Sequence, residues 1–147
     1  VNSALAEVIY SKLSVIDRSM KWIIQWEIFD HLVKKDLDIG NNGTDVESGD
    51  LAIKLYRFHD HQVFRIGKQS REQYLSTADI INFGSTLLGD GDQVGIVGQS
   101  WHAVRCRKML EALPHKIVFG SFVDEFCGED PEQPWVRDFL SWLIKES

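Results

Sequence analysis

The stretch LAIKLYRFHDHQVFRIGK, Leu51 to Lys68, constrains the fold of this chain more than any other. Leu51, Ile53 and Leu55 recur every second residue, as in a strand, and His59-Asp60-His61-Gln62 suits a turn between two strands. Leu51, Leu55, Phe58, Val63, Ile66, Ser70 and Tyr74 also fall near one helical face. Periodicity alone leaves both forms open. A hairpin at 51–68 makes the chain an α+β domain; a helix makes it all-α.

The flanking segments favour helices. From Ser3 to about Leu37, apolar residues including Leu5, Val8, Ile9, Leu13, Ile16, Met20, Ile23, Ile24 and Phe29 recur at three- and four-residue spacing without glycine or proline. That pattern predicts one long helix or two in a row. GNNGTDVESGD, Gly40 to Asp50, reads as a polar surface loop. Ser70 to Leu88 is expected to be helical, GDGD at 89–92 to turn, and Ser100 to Leu113 to form a helix stopped before Pro114. Lys116 to Phe126 is apolar enough for a buried helix or strand, and Pro134 suits the first turn of a short helix carrying Trp135, Phe139, Trp142 and Leu143. At 147 residues the whole of 1–147 is expected to form a single domain.

The chemistry-bearing motifs point away from catalysis. GIVGQSWHAV, Gly95 to Val104, resembles a nucleophile elbow, whose serine needs small residues on both sides of a strained turn. Gly98 is in place, but His102 occupies the position of the second glycine, and the last histidine, His115, precedes Asp124, Asp130 and Asp138 instead of following them. Ser100 is therefore expected to serve as a helix N-cap. His59 and His61 could be a metal-ligand pair, yet no second cluster at ligand spacing supports them. Asp90 and Asp92 need no cation to make a turn, and the glycines from Gly89 to Gly98 fit no phosphate-loop spacing. No catalytic residue, metal or cofactor is expected.

A net charge of −6, from acids spread along the chain, argues against a nucleic-acid surface, which would carry a basic stripe. The run Arg105-Cys106-Arg107-Lys108 reads as a solvated helix face. Two irregularly placed cysteines, Cys106 and Cys127, fit neither a disulfide framework nor a zinc site, and suit a reducing compartment. No apolar run has the length needed to cross a bilayer.

Leu113-Pro114-His115-Lys116 followed by Ile117, Val118, Phe119 and Phe122 resembles the start of the central hydrophobic helix of the Bcl-2 family of apoptosis regulators, with a cation where that family has arginine. Pro134, Val136, Asp138 and Trp142 are similar to the motif after it, and ALAEVIYSKLSVIDRSMKW, ending at Trp22, resembles the family's first helix. Val63, Gly67 and Tyr74 match the spacing of its third homology motif, with Lys68 in the place of an acid. The resemblance implies an all-α, Bcl-2-like helical bundle around a central hydrophobic helix, with Leu51 to Tyr74 helical. It further implies a non-enzymatic regulator, of pro-survival type, that binds the amphipathic death-motif helix of pro-apoptotic partners. The binding groove would be formed by Tyr74, Ile81, Val104 and Met109, with Lys116 pairing with a partner aspartate. A cytoplasmic location, association with the mitochondrial membrane through a segment outside this chain, and a homodimer are compatible with it. The alternative expectation is an α+β protein-interaction or accessory module with a hairpin at 51–68.

Overall fold

A computed structural model of the protein describes residues 2–16, 19–69, 75–98, 100–119 and 141–145. In chain order these form α1 (Asn2–Val15), β1 (Met20–Gln25), α2 (Trp26–Lys35), a 3-10 turn (Leu37–Gly40), β2 (Thr44–Ser48), β3 (Leu51–Phe58), β4 (His61–Lys68), α3 (Thr77–Ser85), β5 (Gln93–Val97), α4 (Ser100–Glu111), β6 (Val118–Phe119) and β7 (Ser141–Lys145). The strands make one mixed sheet in the order β2-β3-β4-β1-β7-β5-β6. β1 is parallel to β4 and β5 to β6, whereas β7 runs antiparallel to both β1 and β5.

The fold is thus α+β, and the all-α bundle implied by the Bcl-2 resemblance does not form. The decisive stretch 51–68 is a hairpin: Leu51 pairs with Lys68 and so on to Phe58 with His61. His59 sits in the tight turn at a φ of 52°, a conformation that a helix through this stretch would not allow. Helix-like spacing arose because the hairpin belongs to a sheet covered on both faces. Buried residues then occur on both sides of each strand, and strict alternation disappears.

The same effect hid β1. Its burial is nearly continuous, since Trp22 and Ile24 enter the core on one face of the sheet while Ile23 enters the other. Read along the chain, Met20, Ile23 and Ile24 continued the helical spacing of α1, so the long helix expected from Ser3 to Leu37 is instead helix, strand, helix. On one face, Leu5, Ile9 and Leu13 of α1 and Ile28, Phe29 and Leu32 of α2 pack on Trp22, Ile24 and Val63. On the other, Ile80 and Ile81 of α3 and Cys106 and Leu110 of α4 pack on Ile23, Ile53, Phe64, Ile66 and Ile96.

The central hydrophobic helix expected from Ile117 is likewise corrected. Ile117 is an irregular, half-buried residue at the margin of the α3–α4 core, and Val118–Phe119 form the short strand β6; Phe122, and the expected helix from Pro134 through Phe139, lie outside the described residues. Ser141–Lys145, the end of that expected helix, is a strand. The helix from Ser100 ends at Glu111, two residues short of the predicted Leu113. Ser100 is its first residue, not a residue ahead of it. α3 is shorter than the expected Ser70–Leu88 helix. It starts after Ser76, whose hydroxyl accepts from the Asp79 N–H at 3.1 Å while the Asp79 carboxylate accepts from the Ser76 N–H at 3.0 Å.

The hairpin turn also positions a buried histidine. His61 is 1% exposed, lies edge-to-face with Trp22 at 6.0 Å, and its Nε2 is 3.1 Å from the Ile16 carbonyl oxygen past the end of α1. Its Nδ1 is buried with no hydrogen-bond partner among the described residues. Burial pushes the imidazole pKa down from its ordinary 6.5, against the opposing pull of the Ile16 carbonyl. The unfolded chain therefore takes up this proton before the folded one does. The contribution of neutral His61 is complete above pH 6.5 and declines as the pH falls from there towards the lowered value. Urea midpoints are expected to fall between pH 7.5 and about 5.5, and His61→Gln should flatten that slope. An unchanged slope in the variant would show that His61 is not the group responsible.

Candidate functional site

At the first edge of the sheet, the segment read as a polar loop contains a strand. Gly43 leads into β2 with its backbone against the Tyr56 ring, where a Cβ would come within 2.5 Å of an aromatic carbon. A two-residue turn, Gly49-Asp50, then returns the chain into β3, with Gly49 at a φ of 56°. Positive φ in such a turn matches the right-handed twist of the strands it joins.

Residues of β2 alternate between the two faces. Thr44, Val46 and Ser48 stand opposite Leu55, Ile53 and Leu51 on the side of α3, while Asp45 and Glu47 stand opposite Lys54 and Ala52 on the side of α2. Each interior neighbour of this strand is paired on both sides. Among the described residues β2 is paired only with β3, so one row of its backbone groups faces away from the described sheet.

On the α2 side, a row of charges crosses four elements. Lys54 and Arg65 are direct partners in the β3–β4 register, and like charges directly opposite one another are destabilising unless neutralised. Asp30 of α2 accepts from Arg65 Nε at 3.1 Å and from its second terminal nitrogen at 3.4 Å. Asp45 reaches Lys54 at 3.9 Å. The Arg65 guanidinium also lies 6.0 Å from the centre of the half-exposed Trp26 ring. Glu47, opposite Ala52, has no ion pair among the described residues.

Among the described residues, two hollows adjoin this edge and another lies next to them. One of about 630 Å³ runs over Asp45, Glu47, Ala52, Lys54 and Arg65. A second, of about 440 Å³, shares Lys54 and Arg65 with it and continues under α2 to Phe29, Val33 and Tyr56. The third, of about 530 Å³, is lined by Thr44, Val46, Leu55 and Arg57 together with Asp38 and Asn41 ahead of β2. Open, half-polar surface therefore lies beside β2, with residues of both of its faces in the lining. Such an arrangement has room for an added extended chain and its alternating side chains.

The groove residues expected from the resemblance are placed elsewhere. Ile81 is 2% exposed in the core beneath α3, and Met109 packs half-buried against the same core. Val104 is exposed on α4, and the exposed Lys116 lies in the segment after it, its N–H donating to the Asp90 carboxylate at 3.1 Å. Tyr74 lies outside the described residues. Ile81, Val104, Met109 and Lys116 line none of the hollows at the β2 edge.

The other motifs are accounted for locally. Asp92 accepts the backbone N–H of Gly89 within the GDGD turn, and Asp90 accepts that of Lys116 from the segment after α4. No group of three metal-ligating side chains occurs among the described residues, His59 and His61 included. β5, Gly98 and α4 do form the strand, bend and helix suspected around Ser100. Cys106 is buried in the α3–α4 core, and burial pushes its thiol up to about 12, which keeps it from acting as a thiolate near neutral pH. No described helix is long and apolar enough to cross a membrane. Comparison of the chain with protein-family models, curated proteins and solved structures gives no match.

Proposed function

We propose that this chain is a non-enzymatic protein-interaction module that receives an extended segment of a partner along β2. The observation that carries the reading is the strand Thr44–Ser48, half-paired among the described residues, at the edge of a sheet whose interior strands are paired on both sides, with open hollows beside that strand. Strand addition draws affinity from main-chain hydrogen bonds and selectivity from the places that alternate side chains occupy. The turn at Gly49 and the packing of Tyr56 on Gly43 hold both ends of β2 in place for it.

A helix-in-groove receptor needs facing helices to line the trough, and the hairpin at 51–68 removes one of the helices on which the cell-death reading depended. Amide chemical-shift mapping during titration distinguishes the two modes. Extended peptides are expected to perturb 44–48 and the facing residues of β3 saturably, and amphipathic death-motif helices are expected to bind no better than scrambled ones. Saturable binding of those helices, with shifts centred on Ile81, Val104, Met109 and Lys116, would overturn the proposal.

A further inference from the structure

The charge pattern of β2 selects its occupant, and we infer that this edge takes an extended segment in which basic residues alternate with aliphatic ones, not a second copy of the chain; the inference rests on the edge-docking reading above. Two copies of β2 paired antiparallel about a two-fold axis through Val46 would set Asp45 of each against Glu47 of the other. Moving the axis to Asp45 or to Glu47 sets the acid against its own copy. Each of these registers places like charges directly opposite one another, which is destabilising. The common blocking devices of an edge, proline or a bulge, are missing from Thr44–Ser48. Its acids perform that task against self-pairing, and they leave it open to a strand of opposite charge.

Complementarity then fixes the pattern of the partner. Residues of an added strand opposite Asp45 and Glu47 project to the α2 side, where Glu47 has no ion pair among the described residues and Asp45 has only the distant Lys54. Lysine or arginine fits both positions. The residue between them projects to the other side, next to the half-buried Val46 and the hollow continuing to Leu55. An aliphatic side chain fits there, and it would cover Val46. The −6 charge of the chain as a whole draws such a segment in from a distance.

The test compares short alternating Lys-Val, Glu-Val and Thr-Val peptides, and a Lys-Val peptide interrupted by proline, by fluorescence anisotropy and shift mapping at low and physiological salt. The Lys-Val peptide is expected to bind at 44–48, more weakly as salt rises, and at least about tenfold more tightly than the others. The doubly reversed variant Asp45→Lys with Glu47→Lys, its fold checked by circular dichroism, should exchange the preference and favour Glu-Val. Equal binding of Lys-Val and Thr-Val at 44–48 would overturn the charge inference while leaving the docking edge intact. Failure of every peptide to reach 44–48 would overturn both. Equal binding of the proline-interrupted peptide would show attraction without strand pairing, and a solution dimer dispersed by the double reversal would show that β2 serves self-association; either result contradicts the inference.

Discussion

Truncation of Trp22 to alanine is expected to destabilise the protein by about 3 to 5 kcal/mol, the range for removing a large buried aromatic. Trp22 is fully buried on β1, and the core it joins is built from α1, α2 and the strands β1 and β4. No other described residue of comparable size is so completely enclosed. Its indole N–H has no hydrogen-bond partner among the described residues. Trp22→Phe should therefore lose much less than the alanine variant, because it retains most of the apolar contact and removes an unsatisfied donor. Urea unfolding of the three proteins provides the comparison. A loss below about 1 kcal/mol in Trp22→Ala, the scale of a surface substitution, would mean that β1 is not a central strand.

Phe64→Ala is the corresponding expectation for the opposite face, again with a loss of about 3 to 5 kcal/mol. Phe64 stands on β4 in the core beneath α3 and meets Phe83 at 5.6 Å with the rings inclined by 62°, a geometry that contributes beyond the area buried. Ile117→Ala should cost far less, about 1 kcal/mol, since that side chain lies only half-buried at the margin and its surroundings can relax. The contrast separates the sandwiched sheet from a bundle centred on 117–126. In a bundle, Ile117 would be the more sensitive position.

What could be read from the sequence, and what could not, follows from how far each signal reaches along the chain. The helix from Ser100 and the GDGD turn are specified by neighbouring residues, through Pro114 and the short polar run, and both appear close to where local chemistry puts them. His59-Asp60 was legible as a turn, but the hairpin around it was not separable from a helix. Burial on both faces gives Phe64 and Ile66 on one side, and Val63 on the other, equal claims to be core. β1 failed for the same reason, with the added accident that Met20, Ile23 and Ile24 prolong the spacing of α1.

The candidate site was still less visible. Val46 is the only aliphatic residue in GNNGTDVESGD, so nothing local distinguishes β2 from a loop. Its strand form comes from pairing with β3. The opposed cations Lys54 and Arg65, and the Asp30 that neutralises one of them, are brought together only by sheet register and by the placement of α2. A sequence motif cannot encode that meeting. The alternation Asp45-Val46-Glu47 was the available trace, a period-two pattern too short to stand alone.

Amide hydrogen exchange of Thr44 to Ser48, followed with and without the alternating Lys-Val peptide, tests the central claim most directly. In the free protein the outward-facing amides of β2 are expected to exchange quickly, while the amides bonded to β3 exchange slowly. Bound peptide should slow the outward set by about tenfold or more, as new main-chain hydrogen bonds form along the edge. Unchanged exchange at 44–48, with protection appearing instead along α3 and α4, would contradict the assignment of β2 as the docking edge.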